Sequence, residues 1–186
     1  MRTGGVWPGD LVVQIGPAPV EDAAVLAGER QERLGSLDEV IREKAATAAT
    51  VPGISVVEPA LAAAALGATS LHDPTERGLA TALWEISEAS GVALVIDPEV
   101  VLWFEPGLAV CKVLGADPWG TLASGTLLAA FAAADAPSVL ATLLKAGFEA
   151  AVIGEAGLGA GVTTAAGGQL LLFEQDEVAR VLGVQL

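Results

Sequence analysis

Chain breakers recur along this sequence and divide it into many segments. Gly16-Pro17, Pro52-Gly53, Gly67, Gly91, Asp97-Pro98, Asp117-Pro118 and Gly147 each separate two segments that are apolar or amphipathic. Glycine leaves the backbone unrestrained and proline lacks an N–H, so both interrupt regular structure. A chain cut this way must assemble its core from many short elements. Apolar runs predict strands at 10–16, 68–71, 92–96, within 122–131 (centred on 126–130), at 150–153 and at 169–173. Helical spacing predicts helices at 21–31, 36–49, 59–66, 78–90, 106–114, from Pro137 to Gly147, and at 177–182.

The local signals sharpen several of these. Ser36-Leu37-Asp38-Glu39 reads as a capping box, with Ser36 serving the amide of Glu39. Pro59 suits a first helical turn, and the body that follows it, 60–66, is apolar on every side, which predicts burial. Leu79, Leu83 and Ile86 share one helical face, and Val139, Leu140, Leu143 and Leu144 are expected to point inward. Strands and helices alternate for most of the chain, so the expected fold is a layered α/β (α+β) domain spanning 1–186, with 1–9 as an arm. Its last two strands are joined by a Gly-rich loop, 154–168, read as a flexible hairpin connection, so the sheet is expected to be mixed. That loop follows a strand as a phosphate loop does, but no helix follows it and it lacks a Gly-Lys-Ser/Thr ending.

Composition narrows the partners. Hydrophobic residues make up 53% of the chain and charged residues 17%, enough for a full core. A net charge of −14 argues against nucleic acid or an anionic membrane surface as partner. The single cysteine, Cys111, excludes an internal disulfide framework, fits a reducing compartment and sits among apolar neighbours as a buried thiol would. The first residues lack the apolar core of a signal peptide, and the longest apolar-looking run, 121–134, is too short to span a bilayer. A cytoplasmic location is the expectation. Trp103-Phe104 and Trp119 flank turns and suit either core or contact surface.

One stretch concentrates polar chemistry. Ser70 to Ala80 carries the only histidine, His72, beside Asp73, then Pro74, Thr75, Glu76, Arg77 and Gly78. Asp73 fits an N-cap with Pro74 at N1 and Glu76 at N3. The same strand-to-helix geometry offers free amides and a positive dipole end to an anion, with the Thr75 hydroxyl and the Arg77 guanidinium at hand and His72 able to orient a ligand or move a proton. A lone histidine suggests no metal site. Ser124-Gly125-Thr126 starts an apolar strand, where Gly125 permits close approach of a ligand or another backbone.

His72-Asp73-Pro74-Thr75 followed by Gly78-Leu79-Ala80 resembles the His-Asp-Pro-Thr-Arg-Gly-Gly-Leu-Ala stretch of HypE-type hydrogenase maturation factors. It is similar more broadly to the C-terminal domain of the aminoimidazole ribonucleotide (AIR) synthetase, or PurM-related, superfamily. Pro8 to Val13, Glu85 to Val92, Leu122 to Leu128 and Ala151 to Glu155 match in order, so the resemblance runs nearly the length of the chain. It implies a mixed-sheet α/β sandwich, partly ferredoxin-like. It also implies that ATP and Mg belong to an N-terminal domain this chain does not contain, leaving no cofactor here.

Two departures stand out. Arg77 replaces the first glycine of the Gly-Gly pair, and the chain ends in Leu186 rather than the family's terminal cysteine. Two functions follow as expectations. In one, His72, Asp73, Thr75, Arg77, Gly78 and Gly125 form the substrate or anion side of a cleft completed by an N-terminal-domain partner, and the chain is inactive alone. In the other, the domain is a non-catalytic module that binds a small anion or self-associates as a homo-oligomer.

Overall fold

The computed structural model describes residues 3–184. Six strands form one mixed sheet: β1 (Asp10–Ile15), β2 (Ser70–His72), β3 (Ala93–Ile96), β4 (Leu127–Ala132), β5 (Ala150–Gly157) and β6 (Gly161–Thr164). Their spatial order is β2-β4-β1-β5-β3-β6. Every pairing is antiparallel except β3 with β6. The helices are α1 (Glu21–Glu29), α2 (Glu39–Ala46), α3 (Val57–Ala65), α4 (Gly78–Ser90), α5 (Glu105–Leu114), α6 (Ala136–Lys145) and α7 (Glu177–Leu182). None of them is long and apolar enough to cross a membrane singly.

Strand alternation divides the core. Val12, Leu128, Leu94 and Ile153 meet Leu79, Leu83 and Ile86 of α4 on one face. Val13, Ile15, Ala129 and Phe131 meet Ala63 of α3 and Val139 and Leu143 of α6 on the other. Full burial of each such Leu, Ile or Phe side chain is worth roughly 2 kcal/mol. A third cluster lies among α1, α2, α5 and α7, around Leu26, Leu34, Val110 and Val178. Gln14 stays inside the sheet because all its bonding capacity in sight is used: its amide donates to the carbonyls of Gly16 and Leu102 and accepts from Leu102 N–H.

The structure corrects several expectations. Asp38, not Ser36, caps α2, accepting from Val40 N–H at 2.8 Å. A carboxylate two residues back reaches the amide directly and opposes the positive helix end. Helix α3 is not buried all round: Leu61 is 67% and Val57 62% exposed, because the sheet takes only the Ala60–Ala63–Leu66 side. Leu144 of α6 likewise faces out, while Leu140 is half-buried.

The Gly-rich segment is not a flexible hairpin connection. β5 runs on to Gly157, and its turn carries the chain over the start of β3, so β5 and β6 flank β3 rather than pairing with each other. Gly154 allows this, since a Cβ there would meet Val95 O at 2.5 Å. Residues 169–173 form no strand; Gln169 makes one isolated bridge to Thr163. Trp103 and Trp119 are partly buried and pack edge-to-face, 5.1 Å between ring centres.

Candidate functional site

The 72–78 junction connects β2 to α4, and its geometry differs from a simple capped turn. Asp73 is not the N-cap of α4. The helix begins later, at Gly78, and the residue before it is Arg77 in the left-handed region, φ 57°. Asp73, Thr75 and Glu76 are exposed around a buried Pro74. Gly78 is held at φ 68° against the 119–121 loop, where a Cβ would lie 2.5 Å from Trp119 O and 2.6 Å from Thr121 O. Trp119 O also accepts from Ala80 N–H at 3.0 Å, and Thr75 O accepts from Ala123 N–H at 3.3 Å, so loop 117–123 clamps the junction from both ends.

Both ring nitrogens of His72 are engaged within the fold. Its Nε2 is 2.9 Å from Glu85 Oε2 on α4, and its Nδ1 is 3.0 Å from Thr3 Oγ1. With Nε2–H donating to the carboxylate, Nδ1 accepts from the threonine hydroxyl, and both ring nitrogens are occupied. The same arm is fastened at two more points: Ser70 Oγ donates to Thr3 O at 2.6 Å, and Ser90 Oγ accepts from Gly5 and Val6 N–H, each at 3.3 Å. Gly4 lies against Ala89 O and Gly5 against Thr69 O so closely that a side chain at either would collide with backbone. The histidine works as a clasp for the arm.

The amide of Arg77, the first N–H offered at the start of α4, is already taken. It donates to Asp176 Oδ2 at 2.7 Å, while Asp176 Oδ1 caps α7 by accepting from Val178 N–H at 2.8 Å. The carboxylate is buried, which raises its pKa; the two amide bonds lower it, and Glu177 and Glu76 raise it again. Asp73 also titrates high, from desolvation and from Glu21, against the pull of His72. A cavity of about 520 Å³ lies beside this contact, lined by Glu76, Arg77, Leu122, Glu174, Gln175 and Asp176.

Gly125 stands apart from the junction. It lines a separate cleft of about 680 Å³ with Ile15, Pro17, Gly53, Glu58 and Phe148. Its φ of 99° and the approach of Gly53 O, 2.9 Å from where a Cβ would lie, give the glycine a packing reason of its own. The six residues named from sequence therefore fall into three groups: His72 at the end of β2 and bonded to the arm, Asp73, Thr75, Arg77 and Gly78 at the junction, and Gly125 in another cleft. Among the described residues no group of three or more His, Cys, Asp or Glu side chains is arranged to hold a metal ion.

Two acids were not singled out from sequence. Asp176 gave a signal only as the residue preceding a short helix. Asp22 gave a clearer one: it shares a helical stripe with Ala23, Leu26 and Ala27, all buried. It is fully buried, with Oδ2 accepting from the Cys111 thiol at 3.4 Å and Oδ1 without a hydrogen-bond partner. Burial lifts its pKa to about 7; the thiol bond lowers it, and Asp176, Glu177 and Glu21 raise it further. Burial pushes the Cys111 thiol up too, so it stays protonated and unreactive at neutral pH.

Comparison with known proteins fits this architecture. Residues 8–165 match the family model described as AIR synthase related protein, C-terminal domain. The chain is 36% identical over 153 residues to the carbamoyl dehydratase HypE of Cupriavidus necator, covering 81% of this chain and 41% of that one. A crystal structure of E. coli HypE superposes with a TM-score of 0.74 at 23% identity, over 96% of this chain and 54% of that one. A HypE solved in complex with ATP gives a TM-score of 0.66 at 23% identity, over 95% and 54%. The chain thus spans about half the length of the relatives it matches. By sequence and by fold alike, it belongs to the AIR synthase-related family and is built as that family's C-terminal domain.

Proposed function

We propose that this domain supplies the substrate side of a cleft in an ATP-dependent enzyme of the AIR synthase-related family, with the ATP side on another domain or chain. One observation carries the reading: the chain is 36% identical to a HypE and yet accounts for 41% of it. The junction supplies exposed Asp73 and Thr75, with loop 117–123 holding the Thr75 carbonyl. ATP and Mg would be held by the other half. His72 serves this cleft indirectly, by setting the bearing of the arm. The purified 186-residue chain is expected to show no ATP turnover above a heat-treated control, measured by phosphate release. Robust turnover by the chain alone would overturn the proposal.

A second reading, self-association, is favoured by the open part of the sheet. Helices α3 and α6 cover the start of β5 but leave its far end and β3 open on this face, where Val95 is 45% and Val100 41% exposed beside Leu11 and Val152. Val95→Glu should convert any homodimer to monomer in sedimentation velocity. A wild-type chain that sediments as a monomer at all concentrations counts against this reading.

A further inference from the structure

The segment after β6 crosses back over the start of α4 as a strap. Trp84 Nε1–H donates to Leu170 O at 3.2 Å, and the Phe173 ring packs onto Gly120, where no side chain would fit. Asp176 takes Arg77 N–H, and Glu177 accepts from Asp117 N–H at 2.8 Å. Glu177 O atoms also hold Arg180, which donates to Gly115 O, and Arg30 donates to Leu182 O at 3.0 Å. Leu170 and Val178 are also buried in the apolar clusters, and two of the polar ties depend on carboxylates at adjacent positions.

Asp22 lies on α1, whose Ala23, Leu26 and Ala27 share an apolar cluster with Val178 of α7. The charged and titratable groups acting on it are Glu21 on its own helix, Cys111 on α5, and Asp176 and Glu177 at the start of α7. All are acids or a thiol; no cation is among them. While Asp22 carries a proton it is a neutral group beside two strap carboxylates. Once ionised it holds an unpaired oxygen in a fully buried position and faces those carboxylates as a like charge.

We propose that Asp22 is a pH-responsive support for this strap: ionising it drives α7 and Asp176 away from Arg77 and uncovers the start of α4. The carboxyl gains water and loses its like-charged neighbours when the strap lifts, so the open form is favoured by loss of the proton. Opening therefore increases as pH rises from about 4, where a solvated aspartate ionises, to the closed form's value, and levels off beyond it. The device acts on the junction's cover whether or not a substrate cleft is built there, so it stands independently of the proposed function.

Amide hydrogen exchange on the intact chain, corrected for intrinsic rates, tests it. At pH 8 against pH 5, the Arg77 amide and the amides of 177–183 should lose at least tenfold in protection, and they should exchange faster than the β1 and β4 amides at both values. In Asp22→Asn that dependence should disappear from the strap. Asp176→Asn removes one repelling charge and keeps a single acceptor for the α7 cap at the cost of the Arg77 tie, so in that variant the pH dependence is read on the 177–183 amides alone, where it should shrink; it provides the test if Asp22→Asn does not fold. The proposal is overturned if the strap shows no pH dependence, if the dependence survives in the variant that folds, or if strap and β4 amides exchange at one common rate.

Discussion

Arg77 is the one non-glycine residue with positive φ among those described, and it occupies a position where the family's stretch carries glycine. A Cβ in the left-handed region costs about 1–2 kcal/mol, which glycine avoids at some entropic expense in the unfolded chain. Arg77→Gly is therefore expected to stabilise the domain by about 1 kcal/mol, raising the thermal midpoint by a few degrees. Its neighbour behaves oppositely. Gly78→Ala meets two backbone oxygens of loop 117–123 and should cost about 3 kcal/mol in urea unfolding. Both positions have positive φ; at 77 the reason for glycine is conformational and is met by arginine at a penalty, while at 78 a steric one is added to it. Sequence shows Arg77 in one position and Gly78 in the other but not why only the second must be glycine, because only the approach of Trp119 and Thr121 distinguishes them.

At the scale of elements, local chemistry and packing carry different weights. The α2 cap illustrates the first: Asp38→Ala should destabilise by about 1 kcal/mol while Ser36→Ala changes little, read from thermal midpoints. The seven α-helices and five of the six strands are legible from spacing and breakers, because Leu79, Leu83 and Ile86 or Val139 and Leu143 repeat with the helical period; only β6 is not. What spacing did not convey was which side of an all-apolar helix finds a partner. Leu61 on α3 reads the same as Ala63, yet only Ala63 meets the sheet. The 154–168 segment failed for a different reason. Glycine there marks close passage over β3, a fact about a strand more than fifty residues away. The junction failed similarly: Asp73 fits a cap in sequence, but Asp176, from a distant element, already holds the Arg77 amide.

The whole molecule carries an excess of acid, net charge −14, and folding raises the pKa of Asp22, Asp73 and Asp176. A carboxyl whose pKa is raised by folding binds more protons in the folded state, so its stabilising contribution is complete below the unfolded value and is lost as pH rises through the folded one. For Asp22 that window runs from about 4 to about 7. The thermal midpoint should fall across it and then flatten, and Asp22→Asn should remove much of the slope; a midpoint that rises from pH 5 to 7.5 would contradict this, as calorimetry can show.

The strand order has a consequence for how the chain is made. In β2-β4-β1-β5-β3-β6 no strand lies beside its neighbour in sequence. Not one ladder can close as a local hairpin, so none of β1, β2 or β3 has a partner until residues 127–132 have left the ribosome, and β3 waits for 150–164. Such topologies fold slowly and expose unpaired apolar strands meanwhile. Synthesis halted before residue 127 would release a fragment with three adhesive strands and no sheet, a natural client for chaperones.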